Sequence, residues 1–123
     1  MIDQVFHLDD LKWQDGTPGS VGKFKMLLDS KLTKSGSLKI IQLKPKDKFE
    51  SHEHNYLQLM YFTKGIGILK IDDHFFDIKP GLTAIVLPNQ CHKVENTSDD
   101  ESMDIMVFET YELADTDTPY VDF

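Results

Sequence analysis

Ser51-His52-Glu53-His54-Asn55-Tyr56-Leu57-Gln58 is the stretch whose reading decides the fold. His52, His54 and Gln58 all fall on even positions. A β-strand repeats every two residues, so an unbroken strand here puts the three side chains on one face. Two imidazoles and an amide oxygen facing one way are potential ligands for a transition metal. They need a partner from elsewhere in the chain, and the best candidate is His92, which follows the apolar run Thr83–Leu87.

Working outward, the pattern from residue 37 onward is β. Leu38–Leu43 reads as a strand that stops at Pro45, and Phe49 opens the segment that runs through His52 to Phe62. Ile66–Ile71 and Phe75–Ile78 flank the turn Asp72-Asp73-His74, a hairpin signature. Thr83–Leu87 is apolar at nearly every position, which predicts a strand covered on both faces. Val94 and Asn96 follow His92 at two-residue steps, and Met103–Phe108 is the last strong strand, apolar on both faces over Ile105–Phe108. Short strands with turns every eight to twelve residues, and no helical periodicity, predict a β-sandwich or small barrel.

Residues 1–36 are read as strands or an arm packing on that barrel: Val5–Leu8 as a short edge strand, Leu11 and Trp13 as part of another, Gly16–Ser20 as a loop. Phe24–Leu28 suits strand or helix; it is too short for an isolated helix, and the β-rich remainder favours strand. His7 and His74 are read as surface histidines. Residues 37–110 form the barrel. Residues 111–123 form a polar tail that Tyr120, Val121 and Phe123 dock against the body.

Composition sets the outer limits. The 123 residues suit one domain with one core, and a hydrophobic fraction of 40% is ordinary for a folded protein. The net charge of −8 argues against nucleic acid and anionic membrane surfaces, both of which need basic patches. A single cysteine, Cys91, excludes an intrachain disulfide. Met1-Ile2-Asp3-Gln4 lacks the basic and apolar regions of a signal peptide, so a cytoplasmic location is expected.

Two spacings resemble those of the cupins. His52-x-His54-x₃-Gln58-x₆-Gly65 is similar to their first motif, G-x₅-H-x-H-x₃₋₄-E-x₆-G, and Gly81-x₁₀-His92-x₃-Asn96 to their second, G-x₅-P-x-G-x₂-H-x₃-N. The resemblance spans roughly residues 38–108, with Ile66–Ile78 as the hairpin between the motifs. It implies an all-β double-stranded β-helix, or jelly-roll barrel, with a metal inside. Carried over by position, it makes His52, His54, Gln58 and His92 the ligand set. Lys46 and Asn89 stand where the motifs have glycine, Leu87 takes the proline position, and Gln58 replaces glutamate.

The last departure alters the chemistry. Three neutral imidazoles and an amide suit divalent Fe, Ni, Zn, Mn or Cu to differing degrees, and leave the ion's double charge uncompensated. Such a site favours an anionic ligand and acidifies a bound water. On these grounds Gln58→Glu is expected to tighten metal binding. Tyr56, Met60 and Phe62 share the ligands' parity and are candidate pocket-lining residues, with Met60 and Phe62 serving equally well as core. Tyr56 is the candidate catalytic residue because its hydroxyl can donate a hydrogen bond. Cys91, of opposite parity, is read as packing.

The expected function is a divalent-metal cupin enzyme, a dioxygenase, isomerase or lyase, on a small oxygen-rich substrate that is sugar-acid-like or enolate-forming. Among the cupins it resembles, some rearrange sugar acids with a glutamine-containing site. The alternative is a non-catalytic module that binds a small ligand. A homodimer is expected, since small cupins commonly pair through their sheets.

Overall fold

The structure is a computed structural model that describes residues 4–16, 22–29 and 31–113. The expected loop at 17–20 and the docking of Tyr120, Val121 and Phe123 lie outside the described residues. Among the described residues, ten strands make two antiparallel sheets. In chain order they are β1 (Gln14–Asp15), β2 (Lys23–Leu28), β3 (Gly36–Leu43), β4 (Lys48–His52), β5 (Leu57–Lys64), β6 (Gly67–Ile71), β7 (His74–Ile78), β8 (Thr83–Val86), β9 (His92–Asn96) and β10 (Met103–Thr110). The larger sheet has the order β1-β2-β3-β10-β5-β8 and the smaller β4-β9-β6-β7. The fold is all-β, and no helix among the described residues is long and apolar enough to cross a membrane.

β10 is the central strand of the larger sheet, hydrogen-bonded along its length to β3 on one side and β5 on the other. Its alternation decides which side chains go inward. Met103, Ile105 and Val107 are buried, while Met106 and Phe108 face out. Register places Ile105 beside Ile41 and Phe62, and Val107 beside Lys39 and Met60. With Leu43, Leu69, Ile78, Val86 and Val94 these make one core between the sheets. Burying a large aliphatic side chain contributes roughly 1.5–3 kcal/mol, so this cluster is the main source of stability.

Several expectations need correction. The stretch from Phe49 to Phe62 is two strands: β4 ends at His52 in the smaller sheet and β5 starts at Leu57 in the larger. His52, His54 and Gln58 therefore sit on a strand of one sheet, a connecting loop and a strand of the other sheet, with no common strand face. Val5–Leu8 is not a strand; a 3₁₀ turn at Leu8–Asp10, capped by the exposed His7 through its Nδ1, takes its place. β8 is the outer edge of the larger sheet, paired only with β5, and Ile85, opposite Leu59 on the outer face, is half-buried instead of covered on both faces. The N-terminal segment is held by Lys25, which is buried, donates to the Leu8 carbonyl at 3.1 Å and lies 4.6 Å from the Trp13 ring centre.

The departures from motif glycine become legible here. Lys46 and Asn89 both have left-handed backbones, at φ 67° and 68°. Both turns are left-handed here without glycine. Asn89 does a second job, since its N–H donates to the His54 carbonyl at 2.7 Å and so ties the turn before β9 to the loop after β4. Gly65 keeps its glycine for a plain steric reason: at φ 103°, a Cβ there would lie 2.9 Å from the Met103 Cα.

Asn89 is exposed, so its side chain contributes little packing and the cost of replacing it is conformational. Asn89→Ala is expected to lower stability by about 1 kcal/mol, whereas Asn89→Gly stays within about 0.5 kcal/mol of the parent. Chemical denaturation of the three proteins measures both differences.

Candidate metal centre

The site lies where the end of β4, the start of β9 and the loop between β4 and β5 come together. β4 and β9 pair so that His52 and His92 are direct cross-strand partners, with ring centres 4.2 Å apart. The register slips between Phe49 and His52, the kind of irregularity that re-aims a side chain at a strand end. His54 comes from the loop between β4 and β5. Its ring is 4.7 Å from that of His92 and 5.8 Å from that of His52, and it stacks flat on Tyr56 at 3.9 Å. One ring nitrogen from each histidine lies within 4.8 Å of the other two.

A common hydrogen-bond pattern prepares the three rings. His52 Nδ1 contacts the Glu50 carbonyl at 2.8 Å, His54 Nδ1 the Tyr56 carbonyl at 3.1 Å and His92 Nδ1 the Gln90 carbonyl at 3.1 Å. A carbonyl oxygen only accepts, so each Nδ1 carries the proton and each neutral ring has its lone pair on Nε2. The Nε2 atoms of His54 and His92 are buried and have no protein hydrogen-bond partner. Buried polar atoms without partners are rare and call for an explanation such as an ion. A divalent metal fits: it would use these lone pairs, and Nδ1-to-carbonyl bonds are the usual outer support of metal-bound histidine.

Electrostatics favour the same state. His92 is 2% exposed. Its burial, with smaller contributions from His52 and His54, outweighs the Gln90 carbonyl and holds its pKa down to about 4. Tyr56 moves the other way, to about 12, through burial first and then the charge of Glu109 and the proximity of Tyr111. At neutral pH His92 is an unprotonated imidazole and Tyr56 a protonated phenol.

Gln58 sits on β5, buried, and borders with His52 and His92 a cavity of about 860 Å³. Its Nε2 donates to Glu109 Oε1 at 3.2 Å, and the same oxygen lies 3.4 Å from Lys39 Nζ. Tyr56 and Met60 are on the cavity wall; Phe62 is not, being fully buried in the core below. Cys91 is exposed and outside the histidine cluster.

Glu109 and Lys39 are the residues that the sequence reading missed. The signal was available, since Glu109 continues the inward parity of Ile105 and Val107, and Lys39 that of Ile41 and Leu43. A charge at an inward position of an otherwise apolar strand is the informative exception.

The Cupin_2 family, the cupin domain, matches residues 39–108. No curated protein sequence matches the chain. Among solved structures, a predicted oxalate decarboxylase from Thermotoga maritima superposes with a TM-score of 0.76 at 16% identity, covering 87% of this chain and 98% of that one. KdgF from Halomonas sp. gives 0.73 at 18% identity, covering 90% and 96%. The polyketide cyclase RemF from Streptomyces resistomycificus gives 0.72 at 18% identity, covering 91% and 81%. At these identities the likeness is one of fold.

The lowered pKa of His92 has a pH signature. Between about pH 6.5 and 4 the unfolded chain takes up a proton at this residue that the folded one refuses. Stability is therefore full above pH 6.5 and falls as pH drops toward 4, by up to about 3 kcal/mol. Melting of metal-free protein at pH 7.5 and 4.5 is expected to show the loss, and His92→Asn to remove most of it.

Proposed function

This chain belongs to the cupin family, and from that premise we propose that it is a metal-dependent enzyme acting on a small, oxygen-rich carboxylate, sugar-acid-like or enolate-forming. The observation that carries the reading is the pair of buried, unpartnered imidazole nitrogens of His54 and His92 in the three-histidine cluster. His52, His54 and His92 would hold the ion, with Gln58 as a fourth ligand through its amide oxygen. When bound, a divalent metal supplies Lewis-acid polarisation of a substrate oxygen.

The chain's own residues account for the rest. Four lysines, Lys23, Lys39, Lys46 and Lys48, border the cavity against three acidic residues. Three of the lysines are ion-paired, Lys39 with Glu109, Lys46 with Asp99 and Lys48 with Glu50, so the lining is near neutral in a chain with 13 basic and 21 acidic residues. A near-neutral mouth repels an anionic substrate less than the rest of this acidic surface does. Met60, Ile105 and Val107 form the apolar floor. Tyr56 keeps its proton far above neutral pH, so its role is to donate a hydrogen bond to a substrate oxygen and not to act as a base.

The test starts from protein purified without an affinity tag. One equivalent of divalent metal is expected, and none in His52→Ala, which should stay folded because His52 is an exposed residue outside the core. The metal-loaded protein is then screened for turnover of hydroxy- and keto-carboxylates. Tyr56→Phe retains the ring that stacks on His54 and is expected to lower kcat/KM roughly a hundredfold with metal content unchanged. Absence of metal after metal-replete growth would sink the proposal, and ligand binding without turnover would leave a binding module.

The same reading includes a homodimer. Leu38, Ile40, Leu59, Tyr61, Met106 and Phe108 are neighbours by register on the outer face of the larger sheet. Tyr61 and Phe108 are 42% and 39% exposed. A second copy of the chain offers this apolar face a matching one. Sedimentation at micromolar concentration is expected to give a dimer, and Phe108→Glu to give a monomer; a monomeric parent would refute the assignment.

A further inference from the structure

Gln58 is a symmetric-looking ligand with an asymmetric task. Only its carbonyl oxygen can bind a cation, and its amino group, turned inward, would repel one. Nothing in an isolated glutamine chooses between the two orientations, which differ by a half-turn of the amide. Its neighbour makes the choice here. Glu109 is an acceptor on the adjoining strand, directly opposite Gln58 in the β5–β10 register, and receives the Gln58 Nε2–H at 3.2 Å. Glu109 is 6% exposed and is itself held by Lys39 Nζ at 3.4 Å from the same oxygen.

We propose that Glu109 is a positioning residue: by taking the amino group of Gln58, it turns the Gln58 oxygen toward the histidine cluster, and Lys39 holds Glu109 in place. The proposal rests on the reading of Gln58 as the fourth ligand. It also explains an expensive feature. An ion pair facing the inside of a barrel adds little to stability compared with apolar residues of the same size, so its presence asks for another role. Because Lys39 cancels Glu109, the pair orients the amide without adding net charge to the site.

The arrangement changes the expectation for Gln58→Glu. A glutamate at 58 would set two carboxylates side by side across β5 and β10. The tighter metal binding expected from the added charge should appear only when Glu109 is also changed to glutamine. In Gln58→Glu/Glu109→Gln the same hydrogen bond runs in the opposite direction, from the new amide to the new carboxylate, and the remaining amide oxygen still accepts from Lys39.

The experiment is zinc(II) affinity by chelator competition, with folding of each metal-free variant followed by thermal melting. Gln58→Ala measures the ligand itself and is expected to weaken zinc binding at least tenfold. Lys39→Met/Glu109→Leu removes the orienting pair at constant net charge and is expected to weaken binding 10- to 100-fold, the usual effect of losing an outer partner of a metal ligand. The exchanged variant Gln58→Glu/Glu109→Gln is expected to bind at least tenfold more tightly than Gln58→Glu alone. A purely structural role for Glu109 would not produce that rescue. If Gln58→Ala weakens binding but neither pair removal nor exchange has its effect, Glu109 does not orient Gln58. If Gln58→Ala leaves affinity unchanged, Gln58 is no ligand, and both the fourth-ligand reading and the proposal fall.

Discussion

The molecule depends on the double pairing of β10. Satisfied on both edges by β3 and β5, this strand has no freedom to slip, because a one-residue shift would turn Met103, Ile105 and Val107 outward and Asp104, Met106 and Phe108 inward. The apolar face that locks the register also sets the address of everything beyond it. Glu109, two residues past Val107, inherits the inward direction from a core it does not belong to. Gln58 and Lys39 inherit theirs from the same two ladders. The polar end of the barrel is thus positioned by the apolar end.

The smaller sheet and the loop that leaves β4 solve a different problem, which is to present three imidazoles in one tautomer. Each ring uses a main-chain carbonyl two residues away, so the fold supplies the proton acceptor locally and spends no side chain on it. Asn96 steadies the far end of β9. Fully buried, its amide donates to the carbonyls of Leu43, Lys44 and Glu101 while its oxygen accepts from Ser98 N–H. The asparagine that completes the second motif thereby acts as a fastener between β9, the end of β3 and the acidic loop at 97–101, away from the chemistry.

Much of this was legible in the sequence, for reasons that differ by residue. The strands from Gly36 to Thr110 announced themselves because apolar alternation and turn residues agree. The histidines were legible because motif spacing survives where the turn residues have drifted, as Lys46 and Asn89 show by keeping the left-handed backbone. What misled was parity carried across a break. His52 and Gln58 share even numbers, yet a loop and a change of sheet separate them, so their bordering one cavity is a tertiary fact. The same arithmetic placed Phe62 on the pocket wall, when its position puts it below the cavity in the dry core. β8 misled in the opposite way: its apolar sequence signals burial, while its place at the edge of the sheet leaves one side open. Glu109 and Lys39 went unread because their meaning lies in which strands are neighbours, and one strand's pattern does not contain that.

The bond from the Asn89 N–H to the His54 carbonyl has a kinetic meaning. It ties the loop that carries one histidine to the turn that leads into another, so the entropy of bringing them together is spent when the chain folds and not again when an ion arrives. In a metal site of the kind proposed, ligands ordered in advance would release an ion slowly, because several bonds must break together. Loosening that tie would then show itself first in the residence time of a bound ion.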